Sequence, residues 1–273
     1  IQAYNAHFPK IIRPLSGGLF KILSFLIRMD FLFLNTDLGT HYLVLAKKVK
    51  AILKKFIHRD ALDAYMQKAF DRVIGWDADS SKDSIGASVY NTFYVRFAYQ
   101  TLVDELGDTV AEEYVSERYI SMERFFEMVE KDSMFFDDVR TNENETVADI
   151  AQRAFKETCQ LLCDYFGTDN VEKWQWGKIH SIKFDHILGM SALLKPLVNY
   201  GPFPFEGDGE TNNRAKFLEV APPFIADLAS APRIIVKFTP QPEASMMLIT
   251  GENEHFLSKH NTDMVDAWLD HVY

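Results

Sequence analysis

Apolar and polar positions change their spacing about two-thirds of the way along this chain. Up to residue 170 the apolar residues recur every three or four positions, the period of a helix with one buried face. That period predicts helices over His41 to Phe56, Asp60 to Ile74, Ile85 to Glu105 and Asp108 to Lys131. In the last of these, Val115, Tyr119, Met122, Phe126 and Val129 fall on one face. A further helix is signalled by Thr146 with Asp149, a reciprocal capping pair, and runs to Tyr165 before Gly167 stops it. Ahead of them all, residues 2 to 15 read as a short amphipathic helix ending near Pro14, and Gly17-Gly18 is a break. Leu19 to Leu34 is strongly apolar but carries Lys21, Arg28 and Asp30. Charges inside a spanning helix are costly in lipid, so a membrane crossing is not expected.

From Lys173 to Arg214 no period is sustained. Trp174, Trp176, His180, His186 and a series of Gly and Pro residues describe a long loop held in one shape by its own side chains. Beyond it, Arg214 to Val220, Arg233 to Phe238 and Ser245 to Ile249 are short β-branched or aromatic runs bounded by turn residues, and read as strands. Thr262 to Val272 closes the chain as a helix. Helices followed by a mixed second half define an α+β class. Three regions are expected: a basic helical arm over 1–75, a helical region over 76–170, and a mixed strand and loop region over 171–273.

Composition narrows the function classes. With 273 residues and 47% hydrophobic content the chain can bury a sizeable core. The net charge of -10 argues against a nucleic-acid partner, because phosphate binding needs a basic face. The charge is uneven: residues 1 to 60 carry ten Lys and Arg against three Asp and Glu, and the remainder carries 19 against 36. Packing of the basic arm on the acidic body follows, with a membrane-surface role for the arm as the sharper alternative. Cys159 and Cys163 sit four apart on one predicted helix, a spacing that suits neither a disulfide nor zinc.

Several residues could carry chemistry. The turn Trp76-Asp77-Ala78-Asp79-Ser80-Ser81-Lys82-Asp83-Ser84 invites a calcium reading, yet it lacks the Gly and terminal Glu of an EF-hand loop, and helix capping by Asp83 or Ser84 fits better. His180 and His186 are six apart and do not share a helical face; with Asp185 they could form a metal or acid-base site, or each could simply bond a backbone carbonyl. Trp174 and Trp176 alternate as on a strand, one filling core and the other able to wall an apolar pocket. Asp208 and Glu210 lie in a Gly-rich turn followed by Asn212 and Asn213, where Asx-type bonding competes with a substrate role. No Lys-Ser/Thr follows that turn, so it is no phosphate cradle. Ser84, Ser230 and Ser258 lie in no nucleophile motif. No cofactor and no metal is expected.

The strings W-x-W-G-x-x-H from Trp174, N-x-G-P-x-P from Asn199 and G-D-G-E-T-x-N from Gly207 resemble the C-terminal part of the large chain of penicillin acylases. These are N-terminal-nucleophile amidohydrolases, a group that includes cephalosporin and acyl-homoserine-lactone acylases. Gly75 to Ser80 with Ser84, Thr141 to Thr146, Ser230 to Val236 and Trp268 fit the same family in order, so the likeness runs from about Ile74 to the end. The resemblance implies an αββα sandwich completed by the late strands. It implies an acyl-amide substrate, and a Ser, Thr or Cys nucleophile whose own α-amino group is the base. That nucleophile is expected outside this sequence, which begins with Ile1, so the segment itself holds no catalytic residue. The same resemblance implies upstream partner segments of one precursor (an alpha chain and the N-terminal beta chain), self-cleavage, and a periplasmic or secreted location. It points to Trp176, His180, Glu210 and Asn213 as substrate-side residues. Gly251 to Glu254 and Ser258 to Asn261 depart from the family's G-Q-S-G and S-x-H-Y, which leaves a non-catalytic scaffold of the same fold as the alternative.

Overall fold

The structure, a computed structural model, describes residues 40–116, 122–238 and 240–272. The helices expected over residues 2 to 15 and the apolar run Leu19 to Leu34 lie outside the described residues. The chain divides into two compact units. The larger is His41–Lys183 with Pro202–Leu228, and the smaller, among the described residues, holds Phe184–Gly201 and the described part of 229–272.

The larger unit is organised around α3 (Ile85–Leu106), with α1 (Thr40–Phe56) and α2 (Ala64–Gly75) before it. Every residue of α3 from Gly86 to Tyr99 is buried, because its sequence has no polar stripe and a helix apolar all round can only be a central one. Ser84 caps its start, the hydroxyl oxygen accepting from Ala87 N at 3.2 Å. α3 packs chiefly on α4 (Asp108–Ser116) and α6 (Val147–Phe166). Phe97 lies 5.0 Å edge-on to Phe125 of α5 (Met122–Glu130) and 5.8 Å from the stacked ring of Phe136. One cation is buried here. The Arg96 guanidinium lies 4.1 Å above the Tyr99 ring and donates to Glu157 at 2.6 Å and to the Val220 carbonyl at 3.3 Å, so α3 is pinned to α6 by a paired charge.

The single helix expected over Asp108 to Lys131 is described as two, α4 and α5. The connection from α5 to α6 is fixed by Asp138, whose carboxylate accepts from Arg140 at 2.8 Å and from Arg153 at 2.7 Å. α6 begins with the expected pair, the Thr146 backbone N–H donating to Asp149 at 2.9 Å, and ends at Gly167 with φ of 63°.

A four-stranded sheet follows, in the order β2-β1-β4-β3, from β1 (His180–Phe184), β2 (Tyr200–Pro204), β3 (Ala215–Phe217) and β4 (Phe224–Ala229). β1 and β4 are parallel, with His180 opposite Phe224 and Ile182 opposite Ala226, all four buried. The stretch from Lys173 to Arg214 is therefore not one long loop. It holds two strands and the short helices α7 (Trp176–Ile179) and α8 (Lys195–Val198). β1 does alternate, but a histidine takes the place of an apolar residue and five residues give too few repeats to show a period. Trp174 and Trp176 are not on a strand: Trp174 follows a 3-10 turn and Trp176 opens α7. The strand expected over Arg214 to Val220 shortens to β3.

In the smaller unit, β5 (Arg233–Lys237) and β6 (Glu243–Met247) form an antiparallel hairpin, β6 starting two residues earlier than expected, and α9 (Val265–Leu269) occupies the middle of the expected closing helix. Its hub is Trp268, which is fully buried. The Arg233 guanidinium stacks 4.1 Å from that ring and donates to the Trp268 carbonyl at 2.6 Å, while the Trp268 indole N–H donates to the Ser230 carbonyl at 3.2 Å. Helices first and short strands later make the described chain α+β. Among the described residues, no helix is long and apolar enough to cross a membrane.

Candidate functional site

The motifs singled out in sequence meet in the larger unit around the turn Gly207 to Asn213. Asp208 is the pivot. It is buried, and one carboxylate oxygen accepts from the backbone N–H of Glu210 at 2.7 Å and of Thr211 at 3.2 Å, an Asx turn that fixes the direction of Glu210. The Thr211 hydroxyl accepts from Asp208 N at 2.9 Å and donates to the Asn213 carbonyl at 2.9 Å, closing the turn from inside. Gly207 enters at φ of 79°, and a side chain there would run into the Asn213 carbonyl, so glycine is required twice over.

Two distant segments hold this turn. The Gly207 N–H donates to the Ser80 carbonyl at 2.9 Å, and Ser80 Oγ lies 2.8 Å from the Tyr42 hydroxyl. Tyr42 is fully buried. Burial first, and then the neighbouring Asp208 carboxylate, push its phenol well above the ordinary range, so it stays protonated at any physiological pH. Trp76 completes the support: its indole N–H donates to the Asp79 carbonyl at 2.7 Å, and its ring lies 4.9 Å from Tyr90. From the other side the Trp176 indole N–H donates to the Gly207 carbonyl at 2.8 Å. Sequence reasoning missed Tyr42. A tyrosine on the buried face of a helix carries no motif, and only the fold brings it to Ser80.

The four residues expected on the substrate side stand as follows. Trp176 and His180 are wholly buried and stack on each other at 4.5 Å with an 11° tilt. His180 Nδ1 is 2.9 Å from the Phe205 carbonyl, and burial lowers its pKa from 6.5 to about 4, so the ring is neutral. Asn213 is buried at the end of the turn, and Glu210 is half-buried at its tip. His186, by contrast, lies in the smaller unit. Its Nδ1 accepts from Leu188 N at 3.1 Å, so Nε2 carries the hydrogen and donates to the Glu254 carbonyl at 3.0 Å. Asp185 bonds Asn199 at 2.6 Å instead of His186. The histidine that stands near Ser258, His260, pairs with Asp263 at 2.7 Å, but Ser258 Oγ accepts from the His260 backbone N–H and is not placed as a nucleophile for that ring. Among the described residues, no group of three His, Cys, Asp or Glu side chains could hold a metal ion.

A buried aromatic wall underlies a rigid Asx turn on an α+β scaffold, with the Glu210 carboxylate half-buried at the tip of the turn. The chain belongs to the penicillin amidase family, whose match extends over residues 34–273. It is similar to curated proteins named acyl-homoserine lactone acylase QuiP. The one from Pseudomonas syringae pv. syringae is 28% identical over 212 residues, covering 74% of this chain and 25% of that protein. The one from Pseudomonas aeruginosa is 28% identical over 235 residues, covering 77% and 28%. The one from Pseudomonas putida is 27% identical over 231 residues, covering 77% and 26%. The chain thus spans about a quarter of the length of the curated relatives it matches.

Proposed function

We propose that this chain is the C-terminal portion of an acylase that cleaves the amide bond between an acyl group and an amine, with N-acylated small molecules such as acyl-homoserine lactones as the substrate class. Membership of an amidase family, with relatives named as acylases, supports the reading. The nucleophile lies outside these residues, in an upstream segment of the same precursor exposed by self-cleavage, and its α-amino group takes the proton as its side-chain oxygen or sulfur attacks the carbonyl. The late strands join the αββα sandwich that houses it, and the location is periplasmic or secreted.

One observation carries the role of this segment: the turn Gly207 to Asn213 is anchored at Gly207 through both its N–H and its carbonyl, and its half-buried tip is a carboxylate. Glu210 contributes a substrate-side polar contact, and Trp176, His180 and Asn213 hold the turn that aims it. The test is release of free amine from an N-acyl-homoserine lactone by the full-length protein, followed by mass spectrometry. Glu210→Gln is expected to raise KM several-fold with little change in thermal stability. Hydrolysis unaffected by Glu210→Gln would remove the residue from the site. A full-length protein with no Ser, Thr or Cys at the cleavage point and no hydrolysis would make the chain a scaffold instead.

A further inference from the structure

The Tyr42 hydroxyl has two polar neighbours and one hydrogen to give. Ser80 Oγ lies 2.8 Å away, and the Asp208 carboxylate is its other side-chain hydrogen-bond partner. A carboxylate can only accept, whereas a serine hydroxyl donates or accepts. A single assignment therefore makes both bonds: Ser80 donates to the phenol oxygen, and Tyr42 donates to Asp208. The ring is not free to swing away, because it is fully buried and meets Trp76 and Tyr90 edge-on at 6.1 and 5.7 Å. The carboxylate that takes this hydrogen also accepts from the backbone N–H groups of Glu210, at 2.7 Å, and Thr211, at 3.2 Å. A rigid donor on α1 thus faces the carboxylate that orients the Glu210 backbone.

We propose that Tyr42 is a positioning residue of the acylase: its phenol hydrogen holds the Asp208 carboxylate in the orientation that seats the Glu210 backbone and aims the Glu210 side chain at substrate. Tyr42 is wholly buried, so it acts through Asp208 and not by touching substrate. The same helix face that packs the larger unit thereby also serves substrate binding. This assignment rests on the proposed function in taking Glu210 as the substrate-side contact.

Hydrolysis kinetics with an N-acyl-homoserine lactone and amide hydrogen exchange, both on the full-length protein, test it together. Tyr42→Phe keeps the ring and removes the hydrogen. It is expected to raise KM about three- to tenfold with kcat within about twofold of the parent. Exchange of the peptide carrying the Glu210 and Thr211 amides should speed up by roughly tenfold or more. Ser80→Ala deletes only the donor to the phenol oxygen, so its KM should rise by no more than about twofold. In a Glu210→Gln background Tyr42→Phe should change KM by less than about twofold, because the contact it serves is already gone. Parent-like exchange in Tyr42→Phe overturns the proposal. So does faster exchange at an unchanged KM, which is what a purely structural role would give. Equal rises in KM for Tyr42→Phe and Ser80→Ala would mean that the phenol donates to Ser80 instead, and an undiminished effect in the Glu210→Gln background would mean that it does not act through Glu210; either result overturns it. Loss of KM sensitivity to Glu210→Gln sinks the proposed contact, whereas a sensitive Glu210 with a parent-like Tyr42→Phe sinks this inference alone.

Discussion

The Trp176 indole N–H points at the Gly207 carbonyl from 2.8 Å, at the bend where a positive φ turns the chain toward Glu210. Both groups are shut away from water, so each is the other's main means of hydrogen bonding there. Trp176→Phe keeps the ring in the wall and deletes only the donor. It is expected to cost about 1–3 kcal/mol, the penalty for a buried carbonyl left without its partner. Trp176→Ala adds a cavity and should cost about 3–5 kcal/mol. Urea unfolding of the two variants against the parent separates the hydrogen bond from the packing.

Gly86 lies under Trp76, and a Cβ there would come within 2.3 Å of the indole Cγ. Gly86→Ala is therefore an overpacking change, worth about 1–3 kcal/mol of lost stability even though alanine favours helices. Loss of near-ultraviolet circular dichroism at constant helix content would report the displaced tryptophan. A variant as stable as the parent would show that the ring has room to move.

His180 makes folding sensitive to acid. Burial pushes its pKa from 6.5 to about 4, so the unfolded chain binds this proton more readily than the folded one between those values. Stability from the neutral ring is complete above about pH 6.5 and falls as pH drops toward 4, by roughly 3 kcal/mol in total at the usual 1.36 kcal/mol per unit. His180→Gln should flatten this acid limb in a series of melting curves from pH 4 to 7. An unchanged slope would place the acid sensitivity elsewhere.

Asp138 holds the connection before α6 through Arg140 and Arg153, and those two cations keep its carboxyl below the usual carboxylate range. The side chain is 6% exposed, so removing its charge leaves two guanidinium groups facing a neutral amide. Asp138→Asn is expected to lower stability by about 1–3 kcal/mol and to raise protease cutting within residues 132–146. Identical digestion patterns in parent and variant would argue that the connection holds without this pair.

The helical half was legible because its period is long and repeated: α3, α6 and their caps at Ser84 and Thr146 sit where the sequence puts them. The region around Trp176 was not, for a physical reason. Its strands are short, β1 fills an inward position with His180, and the bonds that shape the turn reach back to Ser80 and Tyr42 on other elements. A pattern search along one stretch cannot see such partners. Motif order did find the turn, since Trp76, Trp176 and Gly207 to Asn213 all reach one cluster, but it could not tell that Trp176 and His180 lie inside the wall while Glu210 stands at its tip.

The bond from Gly207 N to the Ser80 carbonyl joins points with the helices α3 to α8 and the strands β1 and β2 between them in the chain. Closing so wide a loop is slow and must follow the assembly of what lies within it. The Glu210 tip is thus among the last parts of the larger unit to take shape during folding, and a chain caught before that step would carry its helices while this turn was still unformed.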